Sequence, residues 1–161
     1  MSIRIGVSAC LLGDEVRYDG GHKRDAMLIE LLGPLVEWVK VCPEVEVGMG
    51  TPREPIHLAQ VDGRIRLLTV NSGVDHTASM TAYAAKKVEA LAMEDLSGFI
   101  LKSGSPSCGP TGEHVGLFAQ ALLARFPDLP IEEEARLADP RLRDAFLERV
   151  FAYQRLRRPK S

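Results

Sequence analysis

An α/β fold, a mostly parallel sheet flanked by helices, is what this sequence predicts. Three observations predict it. Short apolar, β-branched runs at 3–9, 38–41 and 98–101 alternate with stretches of helical periodicity. Each of these strand-like runs is followed at once by a loop rich in glycine, proline or serine. The 161 residues are 45% hydrophobic and 26% charged, which suits one globular domain with a real core, expected over 1–161.

Residues 3–9 alternate and end at Cys10, so they read as the first strand. A glycine-punctuated loop runs to Lys23, and Asp25 is placed to cap a helix over 26–32 that Gly33-Pro34 ends. A second strand is expected at Trp38 to Val41, with Cys42 immediately after it. Residues 44–55 read as loop. Two runs at 56–60 and 64–69 flank Asp62-Gly63, a strong hairpin signal. A long alanine-rich helix is expected from Val74-Asp75 to about Met93, with Asp75 as candidate cap. The run 98–101 is a buried strand, followed by Lys102-Ser103-Gly104-Ser105-Pro106-Ser107-Cys108-Gly109-Pro110. An amphipathic helix at 115–126, a short strand at Pro130-Ile131 and a helix from Pro140 to about Arg157, capped by Asp139, complete the chain. The arrangement is Rossmann-like, and in such sheets ligands bind at the carboxyl ends of the strands. The Arg157-Arg158 pair reads as a solvated tail.

The net charge of −2 argues against a general nucleic-acid binder. No apolar run approaches the roughly 20 residues a membrane helix needs, and the start has no secretory h-region. A cytoplasmic protein with reduced thiols is expected, without a membrane or DNA partner and as a monomer or small homo-oligomer.

Cys10, Cys42 and Cys108 lie 32 and 66 positions apart, yet each follows a predicted strand. In a parallel sheet those ends share one edge, so the three thiols can converge. Soft thiolates suit zinc, copper(I) or an iron–sulfur cluster. Paired C-x₂-C spacing, usual for structural zinc, is absent. Three cysteines on a four-iron cluster would leave one iron open for chemistry. The competing reading is of buried, inert thiols. Glu44, two residues beyond Cys42, is a candidate general base, provided a dry pocket raises its affinity for a proton. Ser103 and Ser105 are candidate hydrogen-bond donors, and Lys102, Arg53, Arg17 and Ser8 candidate substrate contacts. A cluster or metal sensor without turnover remains open, as does a Cys108 nucleophile served by His114.

The ordered blocks Val7-Ser8-Ala9-Cys10-Leu11-Leu12-Gly13, Val16-Arg17-Tyr18-Asp19-Gly20, Cys42-Pro43-Glu44, Thr51-Pro52-Arg53 and Ser105-Pro106-Ser107-Cys108-Gly109 closely resemble the DUF523 family. That family includes thiouracil desulfidases. The resemblance implies a [4Fe-4S] cluster held by cysteines that match Cys10, Cys42 and Cys108. It implies a non-redox conversion of thiouracil-type bases or nucleosides to uracil-type products with loss of sulfide, the cluster acting as sulfur acceptor. It implies a catalytic glutamate matching Glu44 and an assisting serine, Ser103 first and Ser105 second. Glu46-Val47-Gly48-Met49-Gly50 departs from the glycine-leucine-proline that relatives often carry there, a difference expected to bear on substrate fit.

Overall fold

The computed structural model describes residues 3–111 and 113–157; Arg158 of the expected tail lies outside them. Six strands and six helices follow one another in the described chain. They are β1 (Ile3–Ser8), α1 (Ala26–Leu32), β2 (Val36–Val41), α2 (Pro43–Glu46), β3 (Ile56–Val61) and β4 (Arg64–Thr69), then α3 (Thr77–Ala92), β5 (Gly98–Leu101), α4 (Leu117–Arg125), β6 (Ile131–Glu133), α5 (Glu134–Leu137) and α6 (Pro140–Arg157).

Four strands form one parallel sheet in the order β2-β1-β5-β6. The chain moves outward from β1 to β2, then returns to the other side of β1 as β5. The order therefore reverses between β1 and β5, and a crevice opens there at the carboxyl ends of the strands. Strands β3 and β4 form a separate antiparallel hairpin, with Asp62 and Gly63 both at positive φ in its turn, as Asp-Gly requires.

Alternation along β5 divides the core. Phe99 and Leu101 face α3 and α4, packing with Val88, Leu91, Phe118 and Leu122. Ile100 faces the opposite layer, with Ile5, Val7, Leu28, Leu32, Phe146 and Val150. Each large apolar side chain so buried contributes about 1.5–3 kcal/mol of transfer free energy. Gly6 of β1 is required by this packing: a Cβ there would overlap the Phe99 ring.

The expected elements are present, with an added short helix, α5, and shifted ends, of which four bear on the site or on capping. Strand β1 stops at Ser8, because residues Ala9–Leu12 turn through a 3-10 segment that ends at Gly13 in the left-handed region. Strand β2 starts two residues earlier than expected, at Val36. The expected loop after Cys42 opens with one turn of helix, α2, for which Pro43 supplies the first helical position. Helix α3 begins at Thr77, and Asp75 serves it indirectly, its Oδ1 accepting from the Thr77 amide at 2.8 Å. Asp25 accepts from Leu28 N at 3.0 Å and Asp139 from Arg141 N at 2.9 Å, each where a helix starts. Among the described residues, no helix is long and apolar enough to cross a membrane.

Candidate active site

The crevice at the reversal of strand order is a cavity of about 190 Å³. Cys10 reaches it from the turn after β1, Cys42 from the end of β2, and Cys108 from the long loop after β5. Ser8, Glu44, Arg53, Lys102, Ser103 and Ser105 also line it, as do Arg17 and Tyr18. Ten candidate site residues named from the sequence, all but His114, thus face one space.

Local hydrogen bonding explains how each thiol is held. The Ser8 hydroxyl accepts from Lys102 N at 2.9 Å and stitches the ends of β1 and β5 together. The Cys42 amide donates to Glu46 Oε2 at 2.9 Å. Glu46 is itself gripped by Tyr83 at 2.8 Å and Lys87 at 3.0 Å, so α3 fixes the start of α2. Cys42 Sγ lies 3.9 Å from Val16 O, under the loop that follows β1. The Cys108 amide donates to Ser105 Oγ at 3.0 Å. Helix α4 closes the loop from behind: Gly116 N donates to Gly109 O at 2.8 Å and Ala119 N to Ser107 O at 3.1 Å. Gly116 is needed for that approach, since a Cβ would stand 2.5 Å from Ser107 O.

The thiols also feel one another. Burial, then the neighbouring Cys42, pushes Cys10 up to about 11, against an opposing pull from Lys102 and Arg17. Burial raises Cys42 as well, while the amides at the start of α2 and the Arg53 guanidinium pull it down. Cys108, only 5% exposed, is pushed up to about 12 by burial, with the Ser8 hydroxyl opposing and Cys42, Glu44 and Cys10 adding to the rise. One buried and two half-buried thiols, each shifted towards its neutral form, are suited to a cationic group that binds all three as thiolates. Among the described residues no three His, Cys, Asp or Glu side chains come close enough to hold a single metal ion. The donor set nevertheless fits a cluster, whose ligands sit on separate irons and so stand further apart than the ligands of one ion.

Two carboxylates flank the thiols. Glu44 Oε1 accepts from Arg53 Nε and Nη2, both at 3.0 Å, and Glu44 Oε2 accepts from Ser107 Oγ at 2.9 Å. Ser105 Oγ lies 3.2 Å from Ser107 Oγ and extends this chain. Glu44 is therefore paired and hydrogen-bonded, not isolated in apolar surroundings. On the other flank, Glu134 accepts from the Ser103 amide at 2.7 Å and the Ser103 hydroxyl at 3.2 Å, with Lys102 Nζ at 3.5 Å. Ser103 lines the cavity but its hydroxyl is turned to Glu134; the serine that touches Glu44 is Ser107.

Ser107 and Glu134 were not among the candidates drawn from the sequence. Ser107 had a signal, its place next to Cys108 in a Ser-Pro-Ser-Cys run. Glu134 had none, following a three-residue strand too short to show periodicity. His114 does not line the cysteine cavity; it borders a separate opening with His57. A buried thiol held neutral, with no histidine lining its cavity, is a poor nucleophile, which removes the geometric basis for a Cys108 nucleophile.

The chain is similar to known proteins. A solved structure described as the [4Fe-4S]-dependent thiouracil desulfidase TudS superposes with a TM-score of 0.71 at 33% identity, covering 91% of this chain and 99% of its own. An uncharacterised Bacillus subtilis (strain 168) protein, YbbK, is 34% identical over 119 residues, which span 70% of this chain and 78% of that protein. The 2-thiouracil desulfurase family matches residues 5–134, from the middle of β1 to the carboxylate behind Lys102. That span takes in all three thiols and both flanking carboxylates, and on it the chain belongs to the 2-thiouracil desulfurase family.

Proposed function

We propose that this protein is a [4Fe-4S]-dependent desulfidase that exchanges the sulfur of thiouracil-type bases or nucleosides for oxygen, giving a uracil-type product and sulfide. The observation that carries this reading is the meeting of three thiols with the Arg53–Glu44–Ser107 set in one cavity at the switch point of the sheet. Cys10, Cys42 and Cys108 would hold the cluster, one sulfur to one iron. When bound, the cluster supplies a thiophilic Lewis-acid iron at the corner without a protein ligand.

The chain's own residues do the rest. Glu44 takes a proton from a water set against the thiocarbonyl carbon. Arg53 engages Oε1 twice, which leaves Oε2, shared with Ser107, as the basic face. Ser107 orients that oxygen, and Ser105 supports both Ser107 and the Cys108 amide. Lys102, held by Glu134 at the cavity wall, adds a positive field where negative charge develops on the ring. The water oxygen forms the new C–O bond, the C–S bond breaks, and sulfur departs with two protons as hydrogen sulfide. No electrons are exchanged. The protein works as a single domain in the reducing cytoplasm, on a small molecule and without DNA or a membrane.

The test is anaerobic loading of the protein with iron and sulfide, then assay with 2- and 4-thiouracil for uracil and sulfide release. Stoichiometric uracil and sulfide from either base is expected. A cluster-loaded protein that leaves both bases intact contradicts the reading.

A further inference from the structure

Three cations line the cavity: Arg17, Arg53 and Lys102. Two of them are held by acceptors of the protein. Arg53 spends its guanidinium on Glu44, Gly50 O and Thr51 Oγ1, and its side chain is 7% exposed. Lys102 Nζ is taken by Ser103 O at 2.9 Å, Ser103 Oγ at 3.3 Å and Glu134 at 3.5 Å. Arg17 differs. Among the described residues its guanidinium meets only the Tyr18 ring, 5.8 Å from the centroid, and no acceptor or carboxylate. It is half-buried on the loop that crosses Cys42, close enough to Cys10 to act on its ionisation. The loop is itself fixed: Arg17 N donates to Gly21 O, Gly20 N to Arg17 O, and Arg53 N to Tyr18 O. A guanidinium carries five donors, and none of Arg17's is satisfied among the described residues.

Resting on the desulfidase reading, we infer that Arg17 is a substrate-binding residue that donates to the ring carbonyl oxygen of the thiolated pyrimidine, away from its sulfur. Arg53 and Lys102 instead hold the carboxylates in place. The cavity then discriminates by hydrogen bonding: a ring with that carbonyl satisfies Arg17, and a ring without it leaves the guanidinium unpaired in a confined space. Tyr18 holds the guanidinium near its ring, 5.8 Å from the centroid.

The test compares uracil with pyrimidin-2-one, which lacks the C4 carbonyl oxygen and with it the N3 proton; neither ring carries sulfur to remove. Calorimetric binding to anaerobically loaded protein should favour uracil by about tenfold or more. Arg17→Met should bring uracil down to the level of pyrimidin-2-one while leaving the latter within about twofold. Arg17→Lys should restore part of the preference. Iron content and visible absorbance should be unchanged in both variants, and the KM for 2-thiouracil should rise more than kcat falls. No preference in the wild-type protein, a preference that survives Arg17→Met, or an equal loss for both rings overturns the inference. Loss of the cluster in Arg17→Met would assign Arg17 to the thiols and overturn it too. If the wild-type protein fails to desulfurise 2-thiouracil, the desulfidase reading falls, while the ring comparison still reports on Arg17.

Discussion

The two flanks of the cysteine cavity have the same parts. Each has a glutamate, a cation and a serine: Glu44 with Arg53 and Ser107 on one side, Glu134 with Lys102 and Ser103 on the other. They differ in where the carboxylate stands. Glu44 lines the cavity, with one oxygen shared only with a hydroxyl. Glu134 stands behind Lys102 and Ser103, outside the lining, and accepts from both the amide and the hydroxyl of Ser103. On the proposed reading, a glutamate, a cation and a serine make a base on one wall and a brace on the other. Composition does not separate the two roles; the place of the carboxylate does, Glu44 in the cavity lining and Glu134 behind it.

The comparison can be broken at several points. The largest effect is expected from the thiols that both flanks serve. Alanine at Cys10, Cys42 or Cys108 should abolish cluster retention and with it all turnover, read by iron content and visible absorbance near 400 nm. Glu44→Gln comes next. It should keep the cluster and lower kcat by about 10²–10⁴-fold, the usual worth of a general base. Glu134→Gln should keep the cluster and lower kcat by less than about tenfold, with its main cost in thermal stability, about 1–3 kcal/mol for a weakened buried network. Equal losses of kcat in Glu44→Gln and Glu134→Gln would erase the distinction between base and brace. Ser107→Ala should lower kcat by about tenfold, the worth of one hydrogen bond to a charged group, with little change in KM. If Ser103→Ala costs more than Ser107→Ala, the reactive side has been misassigned.

A smaller effect concerns the chain without its cluster. Cys10 and Cys108 are pushed from 9.0 up to about 11 and about 12, so the fold favours their neutral forms. That contribution is fully present below pH 9.0 and is lost as pH rises through 9.0 towards 11–12. Thermal unfolding of the cluster-free protein should therefore be level in this respect below about pH 9 and fall above it. Loading must release the thiol protons, so cluster uptake should improve between pH 7 and 9.

Much of this was legible in the sequence because strands announce themselves by apolar runs. With β1, β2 and β5 read from 3–9, 38–41 and 98–101, the meeting of Cys10, Cys42 and Cys108 followed from parallel pairing alone. Glu44 was legible through its two-residue offset from Cys42, although the α2 turn that aims it was not. The serine that touches Glu44 was not legible. Which hydroxyl of Ser103, Ser105 and Ser107 reaches Glu44 depends on how α4 folds the loop back through Gly116 and Ala119. Glu134 was hidden for another reason: β6 and α5 are three and four residues long, below the length at which periodicity carries information. Arg17 was visible as a charge, but only the occupied donors of Arg53 and Lys102 single it out.

The central claim is that the three cysteines hold one cluster between them. The most direct measurement is iron per chain after anaerobic reconstitution, in the wild-type protein and in Cys42→Ala, the thiol on the outer strand. About four irons per wild-type chain and close to none in the variant are predicted. A wild-type protein that binds no iron, or a variant that keeps its full complement, would contradict the account.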